Sequence, residues 1–126
     1  MTDPKAALAA SLRRGCSMTE AEIEKFLSEI GQVLAGSAMA EGEGRAVLAA
    51  RAASLPLSTD GSIKRALGLM VDVAGGEDLT EAEVGAAAET IHAAANPEAE
   101  ILFGPVNDRT LAGAVRVTIF VMGFDE

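Results

Sequence analysis

Ala66-Leu67-Gly68-Leu69-Met70-Val71-Asp72-Val73-Ala74-Gly75-Gly76-Glu77-Asp78-Leu79-Thr80-Glu81-Ala82-Glu83 is the stretch on which the fold turns. Leu67, Leu69, Val71 and Val73 alternate with other residues over a strand-length run, and Gly75-Gly76 ends it. Thr80-Glu81-Ala82-Glu83 then has the spacing of a capping box, in which the hydroxyl and the glutamate satisfy each other's free amides at a helix start. Val84, Ala87, Ala88 and Ile91 follow at helical spacing and mark an inner face, and Asn96-Pro97 closes the helix. Ile101, Leu102 and Phe103 begin another strand that runs into Gly104-Pro105. Strand, glycine turn, capped helix and strand form a βαβ unit, which predicts parallel neighbours joined by a right-handed crossover.

Upstream the same grammar repeats. Thr2 or Asp3 caps a first helix, Pro4 suits its first turn, Arg13 and Arg14 complement its C-terminal dipole, and Gly15 stops it. A second capping box, Thr19-Glu20-Ala21-Glu22, opens a helix with Ile23, Phe26, Leu27 and Ile30 on one face, ended by Gly31. Gln32 to Ala38 reads as a buried strand of small residues. Arg45 to Leu55 reads as a helix with Val47, Leu48, Ala52 and Leu55 inward and Pro56 as its stop. Ser58 to Ser62 is the longest polar connection. Downstream, Asn107 to Gly113 is turn-rich, and Val115, Val117, Ile119 and Val121 alternate over a last strand. The strand–helix–strand–helix–strand order predicts two crossovers, with the last two strands forming an antiparallel hairpin. The predicted class is α+β: a two-layer sandwich of a mixed four-stranded sheet covered by helices. Residues 1–15 form an N-terminal helical extension and 16–126 the domain itself.

Composition narrows the function. The 126 residues are 49% apolar but only 3% aromatic, so the core is built of aliphatic and alanine side chains. Nineteen acidic against ten basic residues leave a net charge of −9, which repels phosphate backbones and anionic headgroups and argues against nucleic-acid or membrane partners. Cys16 is the single cysteine, so no internal disulfide forms, as a reducing cytoplasm would leave it. No apolar run approaches the roughly 20 residues of a transmembrane helix, and the start Met1-Thr2-Asp3-Pro4 lacks a signal peptide's features. These features predict a cytoplasmic protein.

Four blocks resemble the C-terminal domain of the FtsZ family, the tubulin-like cell-division GTPases. They are residues 29–46, ending in Gly42-Glu43-Gly44-Arg45-Ala46; Ser54-Leu55-Pro56-Leu57; residues 66–80 as quoted above; and Phe103-Gly104-Pro105-Val106-Asn107-Asp108 with the final strand Val115 to Phe124. They occur in the family's order over about a hundred residues, from about Glu22 to Phe124. The resemblance implies the family's second-domain fold, standing alone without the GTP-binding domain. Nothing in residues 1–126 has the Gly-Gly-Gly-Thr-Gly-Thr-Gly pattern of that family's nucleotide loop. It therefore implies no cofactor and no enzymatic activity of the chain on its own, leaving open a contribution to GTP hydrolysis in trans.

The family's loop ahead of its corresponding helix carries Asn-x-Asp-Phe-x-Asp, which reaches the GTP of the next subunit. Carried over by position, Ser17 stands for the Asn, Thr19 for the first Asp, Glu20 for the Phe and Glu22 for the second Asp. Only Glu22 keeps a carboxylate, one methylene longer, which makes it the weak catalytic candidate; the other reading is that it is simply the capping glutamate. Ser17, Met18, Thr19, Glu20 and Glu22 are the partner-binding candidates. Cys16 and His92 lack the second ligand or base that catalysis or metal binding requires, and no metal site is predicted. The reading that follows is a protein-interaction module in cell division that docks on or caps filaments of full-length FtsZ. The alternative is an independent small-ligand-binding or regulatory module, reusing the fold as a homo-oligomer.

Overall fold

The computed structural model describes residues 4–15, 19–29 and 33–124. Helices α1 (Pro4–Gly15) and α2 (Glu20–Glu29) precede strand β1 (Leu34–Glu41). Helix α3 (Arg45–Thr59) and the short α4 (Ser62–Arg65) lead into β2 (Ala66–Gly75). Helix α5 (Glu81–Ala94), β3 (Glu100–Asn107), a 3-10 turn (Arg109–Leu111) and β4 (Ala114–Phe124) complete the chain. The four strands form one mixed sheet in the order β1-β4-β2-β3.

The βαβ unit predicted from residues 66–107 is present: β2 and β3 run parallel, with Val71 opposite Phe103 and Val73 opposite Pro105. Two other expectations are corrected. β1 and β2 point the same way but are not neighbours, and β3 and β4 form no hairpin, because β4 lies between β1 and β2 and runs antiparallel to both. Burial explains the choice. β4 carries apolar residues on both faces at Ile119-Phe120-Val121-Met122, all buried, so it must be central. β3 is half-exposed along its length and carries Pro105, which has no amide to donate, so it belongs at an edge. For the same reason Gly104-Pro105 does not end β3, which continues to Asn107.

On one face of the sheet, α3 and α5 cover Leu69, Val71, Val73, Val115, Val117, Ile119 and Val121. This is the sheet–helix sandwich. On the other face, Leu8, Leu12 and Ile23 of α1 and α2 pack with Met70, Phe120 and Met122. Ile30, assigned to the inner face of α2, and Gln32, assigned to the first strand, lie outside the described residues; β1 begins at Leu34 and extends past Ala38 to Glu41.

Helix α3 departs from the sequence reading twice. It passes through Pro56 to Thr59, and the missing amide is tolerated because Ala52 and Pro56 both sit on the exposed side, where water reaches the freed carbonyl. Its inward face is the reverse of the expected one: Ala46, Ala49, Ala50, Ala53 and Leu57 are buried, whereas Leu48 and Leu55 are 51% and 63% exposed. Small side chains let the helix lie almost on the strand backbone. A Cβ placed on Gly36 of β1 would stand 2.2 Å from the Ala53 carbonyl oxygen. Leu67, read as part of the inward alternation of β2, is also exposed. Of the inner face assigned to α5, Ala87 and Ile91 are fully buried, while Val84 and Ala88 are only partly so.

Candidate interaction site

The predicted partner-binding residues gather at the start of α2. Ser17 and Met18 lie outside the described residues; Thr19, Glu20 and Glu22 are all exposed. The capping box read from the sequence is formed. Glu22 Oε1 accepts from the Thr19 amide at 3.1 Å, and the Glu22 amide donates to Thr19 Oγ1 at 3.2 Å. The hydrogen bond from the Thr19 amide, and after it the nearby Thr19 hydroxyl, hold the Glu22 carboxyl below the usual carboxylate range. Glu20 is engaged from the other side: Arg13 of α1 donates through Nε at 2.7 Å and through an Nη at 3.1 Å. This fork-to-fork pair lowers the Glu20 pKa and ties the end of α1 to the start of α2. The Glu22 carboxylate, the weak catalytic candidate, is thus turned onto its own helix. Chemically the cluster is a capped, acidic helix start displayed to solvent, suited to contact more than to turnover.

A second polar centre lies at the α3–α5 end of the sheet and was not singled out from the sequence. Arg45, only 8% exposed, opens α3. It donates to Glu83 through Nε (2.5 Å) and an Nη (2.9 Å), and to the Asp78 carboxylate at 2.9 Å and carbonyl at 3.2 Å. Glu83 simultaneously closes the capping box of α5 with Thr80. The Arg45 guanidinium holds the Glu83 carboxyl down at about 2 and also lowers Asp78, while the two carboxylates raise Arg45 itself. A cation at a helix N-terminus opposes the helix dipole. That misplacement is the sequence signal that Arg45 has anionic partners elsewhere.

Two depressions flank these centres. One, about 150 Å³, lies between α1, α2 and the sheet and is lined chiefly by Leu8, Leu12, Phe26, Met70 and Leu102. The other, about 360 Å³, is an open cleft beside Gly76, Asp78, Arg109 and Gly113. Among the described residues, no three His, Cys, Asp or Glu side chains converge as a metal site would require. His92 lies against Phe103 with ring centroids 5.7 Å apart. No described helix is long and apolar enough to cross a membrane.

A mixed four-stranded sheet with one parallel βαβ arm, two helices on one face and an acidic capped helix start beyond the other defines an α+β domain. Residues 31–125 match the family model described as "FtsZ family, C-terminal domain", and the chain belongs to that family. It is 42% identical over 106 residues to the cell division protein FtsZ of a Wolbachia species, covering 83% of this chain and 27% of that protein. It is also 42% identical to FtsZ of Magnetospirillum gryphiswaldense, covering 82% of this chain and 18% of that one. The chain thus spans about a fifth to a third of such relatives. Among solved structures it superposes on an FtsZ dimer from M. jannaschii with a TM-score of 0.67 and 27% identity, over 86% of this chain and 32% of that one. The fold alone extends to CetZ1 of Haloferax volcanii, at 16% identity and a TM-score of 0.55, over 86% of this chain and 34% of that one.

Proposed function

We propose that residues 1–126 act as a cytoplasmic protein-interaction module of cell division, docking on a full FtsZ through the start of α2 and capping its filaments. The observation that supports this reading is the family match over residues 31–125, with Thr19, Glu20 and Glu22 exposed immediately before that region. A docked copy of these residues presents a contact surface but no glycine-rich nucleotide loop to receive a further subunit. With only Glu22 carrying a carboxylate among the positions matching the family's acids, and that carboxylate bound to Thr19, GTP turnover at the blocked contact should be low.

The test adds the purified chain to the host's FtsZ with GTP, following light scattering and phosphate release. Both should fall, at substoichiometric doses if ends are capped. Thr19→Arg should weaken the effect, with its melting temperature measured alongside because the substitution removes a helix cap. No change in either signal at an excess of the chain would overturn the proposal.

A further inference from the structure

The outward face of α3 carries a row that a solitary surface helix has no use for: Leu48, Arg51, Ala52 and Leu55, all exposed. These residues fall at i, i+3, i+4 and i+7, a contiguous apolar stripe with one arginine in it. Arg51 has no carboxylate partner among the described residues, in a chain with nine more acids than bases. Beside it on the same sheet face lies α5, whose outward residues Glu81, Ala82, Gly85, Glu89 and Ala93 are acidic or small, with the exposed His92 set against Phe103 of β3.

The two helices point the same way, since each leaves the same end of a co-directional strand, and Arg45–Glu83 bridges their first turns. Residue 45 of α3 and residue 83 of α5 therefore stand at one height. Both helices rise about 1.5 Å per residue, so Leu48 is level with Ala86, Arg51 with Glu89, and Leu55 with Ala93. We infer that this helical face is a self-association surface, and that its occupant is a second copy of the chain related by a two-fold axis running along the helices. Such an axis lays α3 of each copy over α5 of the other without changing heights. Leu48 and Leu55 then meet small side chains that permit close approach, and Arg51 meets Glu89 of the partner subunit, twice by symmetry. The patch is self-complementary in both shape and charge.

Sedimentation velocity of the full chain over a concentration series, in about 150 mM salt to screen repulsion between two strongly acidic chains, reads the outcome. A monomer–dimer equilibrium is expected. Arg51→Glu and Glu89→Arg should each weaken dimerisation about tenfold or more, and the double variant Arg51→Glu/Glu89→Arg should return it to within about threefold of the parent, a tenfold change being about 1.4 kcal/mol. Both positions are exposed, so circular dichroism should find every variant folded. A chain that stays monomeric at high concentration overturns the inference. So does a dimer indifferent to either single charge reversal, or one that the double swap fails to restore.

Discussion

Gly36 is where the packing of this domain leaves least room. An added Cβ would lie 2.2 Å from the Ala53 carbonyl oxygen and 3.3 Å from its carbon, both backbone atoms of α3. Relief needs a shift of about 1 Å in a helix held by Ala49, Ala50, Ala53 and Leu57 in the core and by Arg45 at its start. Overpacking of this kind costs typically 1–3 kcal/mol, and a backbone obstacle places Gly36→Ala at the upper end, about 3 kcal/mol. With an unfolding entropy near 2.1 cal/mol/K per residue, a chain of this size loses about 11 °C of Tm. Gly85, inside α5 with nothing within 4 Å of an added Cβ, is the internal control. Gly85→Ala should gain about 0.5–1 kcal/mol from helix propensity alone, raising Tm by about 2–4 °C. Thermal unfolding followed by circular dichroism at low protein concentration, with urea melts to confirm an unchanged m-value, measures both. A Gly36→Ala variant melting within about 2 °C of the parent would refute the close approach of α3 to β1.

The Glu83 carboxyl, held at about 2 by Arg45 against an ordinary 4.5, contributes stability that is complete above pH 4.5 and lost as pH falls towards 2. Urea midpoints of the parent should drop across that window, and Glu83→Gln should remove up to about 3 kcal/mol of that dependence; parallel acid profiles for the two proteins would contradict the bridge. Ile91, fully buried between α5 and the sheet, should cost about 2–5 kcal/mol when changed to Ala, read as a lowered urea midpoint at constant m-value. A change below 1 kcal/mol would place α5 off the core.

The elements were legible in the sequence because they are written in local chemistry. Two Thr-x-x-Glu boxes marked the starts of α2 and α5, and both boxes are formed. The period-2 run of Val115 to Val121 marked β4, and residues 66–103 read as a βαβ unit that the structure contains. The candidate site was legible only as a position. That Thr19 and Glu22 would bond each other followed from spacing, but that Glu20 would be taken up by Arg13 depended on how α1 turns into α2.

What the sequence determined by itself was therefore the four strands and the longer helices, the capping boxes of α2 and α5, the net acidic charge and the family resemblance of the whole. All of these rest on residues within a turn or two of one another or on summed charge. Only the tertiary structure decided the strand order, the inward face of α3 and the role of Arg45. Strand order turned on which strand could be buried on both faces, a competition β4 wins over β3 because Phe120 and Met122 back onto Val115 to Val121 whereas β3 carries Pro105. On α3, hydrophobicity pointed to Leu48 and Leu55, but the helix backbone at Ala53 comes down almost onto Gly36, so the inward face is mostly alanine and close approach overruled apolar bulk. Arg45 found its carboxylates 33 and 38 residues away, a pairing created when α3 and α5 settle side by side on one sheet.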